Sequence, residues 1–154
     1  LPISDQKIRV LIDGEIQNIQ SSEYLSNKKV VLVGVPGAFT PTCHLSHLPG
    51  YIDNIARFKE KGFTVTFIAV NDPFVMEAWG KSQNVKDKVL MMADPFLSFT
   101  KAIGADVDKS ARGLGVRSNR YTMLIDNLKV IKLQEEEDTG ACEVSAAQNF
   151  LNLV

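Results

Sequence analysis

Val30-Val31-Leu32-Val33-Gly34-Val35 runs directly into Pro36-Gly37-Ala38-Phe39-Thr40-Pro41-Thr42-Cys43, and the fold is read outward from that junction. The apolar run is short, rich in Val and bounded by turn residues, the pattern of a buried strand. Thr40 fits a helix N-cap and Pro41 the first helical position. Cys43 is therefore expected in the first turn of a helix. Unpaired backbone N–H groups and a partial positive charge collect there, and such a place turns a thiol into a thiolate.

An unperturbed Cys, with a pKa of about 8.5, is only a few per cent thiolate at neutral pH. Lowering that pKa by roughly two units needs about 3 kcal/mol of preferential stabilisation of the charged form. A helix terminus supplies at most about 2 kcal/mol. Hydroxyl donors such as Thr40 add hydrogen bonds, but a nearby cation is still required. The candidates are Arg9, Arg57, Arg112, Arg117 and Arg120.

Around the junction, Ile8 to Ile12 and Ile16 to Ile19 flank Asp13-Gly14, a hairpin signal. Ser21 to Leu25 suggests a short helical turn. The helix from Thr40 carries Leu45, Leu48, Ile52, Ile55 and Lys59 on one stripe. Pro49 is expected to kink it and Lys61-Gly62 to end it. Val65 to Val70 and Val89 to Ala93 read as further buried strands. Asp72-Pro73 and Asp94-Pro95 then open helices, as Thr40-Pro41 does. Three strand-to-helix units argue for an α/β fold with a parallel central sheet, whose sites lie beyond the carboxyl ends of the strands.

Residues 104 to 119 read as an exposed loop. Tyr121 to Ile125 and Val130 to Leu133 read as strands turned at Asp126-Asn127. Glu135 to Asp138 reads as a solvated charge run, and 145 to 151 as a closing helix capped by Ser145. Nothing marks a domain boundary, so residues 1–154 are expected to form one domain. Its length suffices for a real core.

The composition is that of an ordinary globular protein, 45% hydrophobic and 23% charged. A net charge of −1 gives no pull toward nucleic acid or an anionic membrane. No apolar run reaches membrane-spanning length. Two Cys do not make a disulfide scaffold and suit a reducing compartment. A cytoplasmic location is expected, or an organelle matrix had a leader been removed.

Pro36-x-x-x-Thr40-x-x-Cys43 resembles the active-site motif of the peroxiredoxins. The longer string GVPGAFTPTC, with HLPGY at 47 to 51, resembles the atypical branch typified by peroxiredoxin 5 and the plant type II enzymes. The likeness runs from Val30 to the C-terminus. It implies a thioredoxin-like fold with a central mostly parallel sheet, flanking helices and the added N-terminal hairpin.

It also implies a thiol-dependent peroxidase acting on hydrogen peroxide and small alkyl hydroperoxides, without haem, metal or flavin. By the same resemblance Cys43 attacks the peroxide. Thr40 is a hydroxyl donor, Arg120 the cation with Arg117 as second choice, and Pro36 shields the thiol, with Gly37 beside it. His47, four residues after Cys43 and on the same helix face, orders the site. Cys43, His44 and His47 make a poor metal set because the adjacent pair diverges.

Cys142 is the open position. Peroxiredoxin 5 resolves its oxidised cysteine with a second Cys in this region, but Cys142 falls short of that place when counted back from the terminal helix. Ile68 stands where the plant type carries its second Cys. The expectation is one-cysteine chemistry completed by an external thiol, glutathione/glutaredoxin or thioredoxin. The alternative is a thiol–disulfide oxidoreductase or redox sensor on the same fold, with Cys142 as resolving cysteine. A homodimer is implied by the resemblance alone.

Overall fold

The apolar run at 30 to 35 is all of β3 (Lys29–Val35) after its first residue, buried on both faces of a seven-stranded sheet. A computed structural model describes residues 7–12, 15–42, 44, 47–85, 88–140 and 142–154. Alternate side chains of a strand point to opposite faces, which is why no polar residue interrupts the run. Val31, Val33 and Val35 pack with Phe67, Trp79, Tyr51, Phe58 and Phe150. Val30 and Leu32 pack on the other face with Ile8, Leu25, Ile68, Met92 and Phe99.

The remaining elements are β1 (Lys7–Ile12), β2 (Glu15–Gln20), α1 (Ser21–Leu25), α2 (Leu48–Asp53), α3 (Ile55–Glu60), β4 (Thr64–Ala69), α4 (Pro73–Ser82), β5 (Val89–Ala93), α5 (Ser98–Ala102), β6 (Asp106–Asp108), β7 (Val116–Ser118), β8 (Tyr121–Asp126), β9 (Lys129–Glu135) and α6 (Ala147–Leu151). The large sheet has the order β2-β1-β5-β4-β3-β8-β9. β3, β4 and β5 pair in parallel. β1 and β2 are antiparallel at one side, and β8 and β9 at the other. The parallel ladders are thus confined to the three strand-to-helix units, and the hairpins extend the sheet outward. Leu11 pairs with Ile16 and Ile12 with Glu15, as the expected hairpin requires; its turn, Asp13-Gly14, lies outside the described residues.

Register at the centre sets up the site. Gly34 faces Tyr121 across β3 and β8. A Cβ on Gly34 would sit 2.0 Å from the Tyr121 ring, so only glycine lets the ring lie there. Tyr121 joins the Leu32 face of the core. Its neighbours Arg120 and Thr122 therefore point to the opposite face, at the carboxyl end of β3.

Several sequence expectations change. The helix expected from Thr40 to Lys61 is interrupted at Asn54, whose backbone N–H and side-chain amide both donate to the Gly50 carbonyl. Pro49 is the second residue of α2, directly after π-type helical turns at His44 and His47, where its missing N–H leaves no α2 bond unmade. Of the expected stripe, Leu48 is buried and Ile52 and Ile55 are partly buried against the same core, joined by Tyr51 and Phe58, while Lys59 is exposed; Leu45 lies outside the described residues.

Asp94-Pro95 does not open α5. The Asp94 carboxylate reaches forward instead to the backbone N–H groups of Phe99 and Thr100 and to the Thr100 hydroxyl. The helix thus begins only at Ser98. Asp72, by contrast, caps α4 as expected, accepting from Val75 N at 2.9 Å.

Residues 104 to 119 are not all loop: β6 and β7 pair as a small antiparallel ribbon. The β8–β9 turn is at Asn127-Leu128, both at positive φ, one step later than expected. Ser145 is not the cap of α6. Ala146 holds that place, without a side-chain cap, because the Ser145 hydroxyl is bound to Glu136.

Candidate active site

β3 delivers Pro36 and Gly37, both buried, to the sheet edge. Gly37 lies close to Arg117: an added Cβ would sit 3.0 Å from its Nη1, tight enough that the guanidinium would have to shift. Phe39 then takes a left-handed conformation, φ 63°, which turns the chain into Thr40. Helical backbone starts at Pro41, and His44 N donates to the Thr40 carbonyl at 2.8 Å. Thr40 is thus in the N-cap position. Its hydroxyl donates to the Gly37 carbonyl at 2.7 Å, leaving the oxygen lone pairs as acceptors. Cys43 lies outside the described residues, between Thr42 and His44.

Arg120 is the cation at this end of the sheet, although only 1% of it is exposed. Its Nη1 donates to His47 Nδ1 at 2.8 Å and its Nε to the Thr139 carbonyl at 3.0 Å. The next carbonyl, that of Gly140, accepts from the Thr42 hydroxyl at 2.9 Å. Two consecutive carbonyls of one loop therefore tie Arg120 to the residue that precedes Cys43. Arg117 has another task. Its Nε donates to Leu114 O and its Nη1 to Val70 O, with a longer contact to Pro36 O, joining the ends of β3 and β4.

His47 is equally buried, at 1% exposure. Arg120 can only donate, so Nδ1 accepts; the Ser145 carbonyl, 3.0 Å from Nε2, can only accept, so Nε2 carries the proton. The ring is neutral. Burial, reinforced by the Arg120 charge, pushes its pKa down to about 3 against weaker opposing effects of Ser145 and Glu136. A neutral ring leaves Arg120 as the positive charge of the pair. His44 points elsewhere, accepting from Trp79 Nε1 at 3.1 Å and lying beside the Gln83 amide. The two histidines diverge, and among the described residues no group of three or more His, Cys, Asp or Glu is placed to hold a metal ion.

Sequence reasoning missed the support around His47. The Ser145 carbonyl also accepts from Tyr51 and Thr122, whose hydroxyls lie 2.8 Å from each other. Burial pushes the Tyr51 pKa up, so its proton stays. Glu136, expected in a solvated run, is buried. One of its oxygens accepts from Ser145 N, the Ser145 hydroxyl and Glu143 N at 2.6 to 2.8 Å. Burial alone would push its pKa up, but bonds from Ser145, Glu143 and Val144 outweigh that and hold the carboxyl below its ordinary value. Asn71 was missed as well; its carboxamide oxygen accepts from Ala38 N at 2.9 Å and steadies the Pro36–Phe39 turn. An amide side chain just past β4, next to a cap residue, was the one available cue. Nothing distinguishes Glu136 from its acidic neighbours in the sequence.

A buried arginine is thus tied, through the Thr139–Gly140 carbonyls, to the turn that runs from Pro36 to Thr42 at the carboxyl end of a central strand. The Redoxin family model matches residues 5–151. The chain is 45% identical over 142 residues to peroxiredoxin-2C of Oryza sativa subsp. japonica, covering 90% of this chain and 87% of that one. Reduced Prx3 of Vibrio vulnificus in complex with hydrogen peroxide superposes with a TM-score of 0.94 at 42% identity, over 99% of this chain and 96% of that chain. Peroxiredoxin 5 of Alvinella pompejana gives a TM-score of 0.84 at 34% identity, over 98% and 93%. The chain belongs to the redoxin family, as a peroxiredoxin of the type II branch. It is accordingly a thiol-dependent peroxidase, an enzyme that turns over a peroxide at the expense of thiols.

Proposed function

We propose that Cys43 is the peroxidatic cysteine, that hydrogen peroxide and small alkyl hydroperoxides are its substrates, and that an external thiol completes the cycle. The Cys43 thiolate attacks one peroxide oxygen and the O–O bond breaks. Sulfur becomes a sulfenic acid, and the leaving oxygen takes a proton to depart as water or alcohol. A reducing thiol condenses with the sulfenic acid, releasing water. A second thiol then exchanges with that mixed disulfide and restores Cys43. Electrons come from thiols throughout, so the reading calls for no haem, metal or flavin.

The observation that carries the reading is the chain of contacts from Arg120 through Thr139 and Gly140 to Thr42. It joins a permanent cation to Thr42, the residue that precedes Cys43 in sequence. Arg120 stabilises both the thiolate and the charge that develops on the leaving oxygen. The Thr40 hydroxyl, rotated from the Gly37 carbonyl, is the second donor. Pro36 and Gly37 close the turn over the reacting atoms, and His47 orients Arg120.

A second reading has Cys142 as resolving cysteine. It is favoured by the Thr42–Gly140 bond, which fastens the segment before the partly exposed Cys142 to Thr42, the residue that precedes Cys43 in sequence. In that case the partner is of the thioredoxin type; otherwise it is glutathione or glutaredoxin.

We further infer a single domain over residues 1–154, working as a homodimer in the cytoplasm or an organelle matrix. The parallel strands β3, β4 and β5 end at one edge, and each is followed by an exposed aromatic: Phe39 at 48%, Phe74 at 57% and Phe96 at 70%. Three such rings on one edge suit burial against a second copy. Among the described residues no helix is long and apolar enough to cross a membrane.

The test is mass spectrometry of reduced protein after one equivalent of peroxide, without reductant. One added oxygen on Cys43, with Cys142 unchanged, supports the external thiol. Loss of two hydrogens with Cys43 linked to Cys142 supports the second reading. An unreactive Cys43 overturns both.

A further inference from the structure

We propose that Glu136 is a positioning residue for the peroxide reaction, acting on Arg120 through the Ser145 carbonyl and His47. The inference rests on the reading of Arg120 as the cation that serves Cys43. The last pair of β8 and β9 is Tyr121 with Glu135. One step further, Glu136 N donates to Arg120 O at 2.9 Å, and the Asn119 amide donates to Glu136 O. The backbones of Arg120 and Glu136 are therefore locked side by side.

The Glu136 side chain closes the circuit. Its carboxylate takes the Ser145 N–H and hydroxyl and the Glu143 N–H, which fixes the turn that leads into α6. That turn presents the Ser145 carbonyl to His47 Nε2. With the Nε2 proton engaged, Nδ1 remains the acceptor facing Arg120 Nη1. Four links thus return to the residue from which they start. A carboxylate is suited to the link between Glu136 and Ser145 because bonds to an ionised acceptor are about twice as strong as neutral ones.

Without Glu136 the 139–145 loop loses its internal anchor. Two Arg120 contacts depend on that loop: Thr139 O directly, and His47 through Ser145 O. A guanidinium freed from them spreads over several rotamers, and its charge spends less time near the reacting atoms. The effect then falls on the thiolate and on the transition state, beyond any effect on global folding.

The experiment measures the rate of Cys43 oxidation by hydrogen peroxide in single turnover. It also measures the pH dependence of Cys43 alkylation, resolved from Cys142 by peptide mass spectrometry. The proteins are the full chain, Glu136→Ala, Glu136→Gln, and each with His47→Leu. Glu136→Ala is expected to slow oxidation about tenfold, equivalent to one pKa unit of lost stabilisation, and to raise the apparent pKa of Cys43. Glu136→Gln, which keeps the volume and one neutral acceptor, falls between. In the His47→Leu background the further loss shrinks to about twofold, because coupled residues are not additive.

An equal loss in both backgrounds, or an unchanged rate and pH profile in a folded Glu136→Ala, overturns the proposal. If Glu136→Ala does not fold, the same cycle with Glu136→Gln decides, at about threefold. The unsubstituted chain is the control for the underlying reading: if its Cys43 fails to react, that reading falls, whatever the variants do.

Discussion

Acidification is expected to destabilise this protein through His47 well before its carboxylates protonate. The ring is buried and neutral, with a pKa pushed down to about 3, whereas in the unfolded chain it returns to about 6.5. Between those values the unfolded state binds one more proton than the folded state, so stability falls as pH falls. The contribution is fully present above about pH 6.5, and each pH unit below that costs about 1.4 kcal/mol. By about pH 4.5 the loss is about 3 kcal/mol, a large part of the stability of a domain this size.

The perturbation that isolates it is His47→Gln. Glutamine can donate to the Ser145 carbonyl and accept from Arg120, as His47 does, yet it does not titrate. Urea denaturation of both proteins at intervals from about pH 7 to about pH 4.5 gives two stability curves. Glu136 has its carboxyl held low, so its contribution is also lost on acidification. That loss is common to both proteins and cancels in the difference. The curves are expected to diverge at high pH and converge by about 3 kcal/mol on acidification. Parallel curves would refute the reasoning, because they would mean that His47 accepts a proton in the folded protein without losing its bond to Arg120.

Arg120→Lys is expected to lower the peroxidase rate constant about 100-fold, the scale for losing an aligned donor to a developing oxyanion. A lysine cannot reach both His47 Nδ1 and Thr139 O from one planar fork. Single-turnover oxidation of Cys43 checks this, and retention of near-normal rate would show that charge alone suffices. Gly34→Ala should destabilise by about 1–3 kcal/mol through overpacking against the Tyr121 ring. It should also slow the reaction, since Arg120 immediately precedes the displaced strand. Denaturation and activity measured on one preparation test the pair of effects together.

Much of this fold was legible because its signals are local. A Val-rich run ending in Pro, repeated with Asp72-Pro73, announces strand-to-helix units whatever surrounds them. Asp-Gly between two apolar runs announces a hairpin, and β1 and β2 pair accordingly. Errors arose where a competing hydrogen-bond partner, near or far along the chain, overruled the simplest local preference. Asp94 resembles Asp72 in sequence, yet its carboxylate is drawn to Phe99 and Thr100, and the helix start moves with it. Ser145 resembles a cap, but a buried carboxylate outcompetes the helix for its hydroxyl. Glu136 resembles its solvated neighbours, and only the pairing of β8 with β9 carries it beside Arg120.

By itself, then, the sequence determined the α/β class, the strand-to-helix turn with Thr40 as its cap, and that a thiolate at Cys43 would call for a cation. Those follow from propensity, capping and the magnitude of a pKa shift, all of which act within a few residues. Only the tertiary structure decided how the cation is held. Arg120 reaches its place by strand register, while Arg117, three residues earlier, is spent on the carbonyls of Val70 and Pro36. The state of His47 was likewise decided by long-range contacts, since a ring between an obligate donor and an obligate acceptor admits one neutral tautomer. Position along the chain says which groups exist; hydrogen-bond partners, brought together by folding, say which proton each of them keeps.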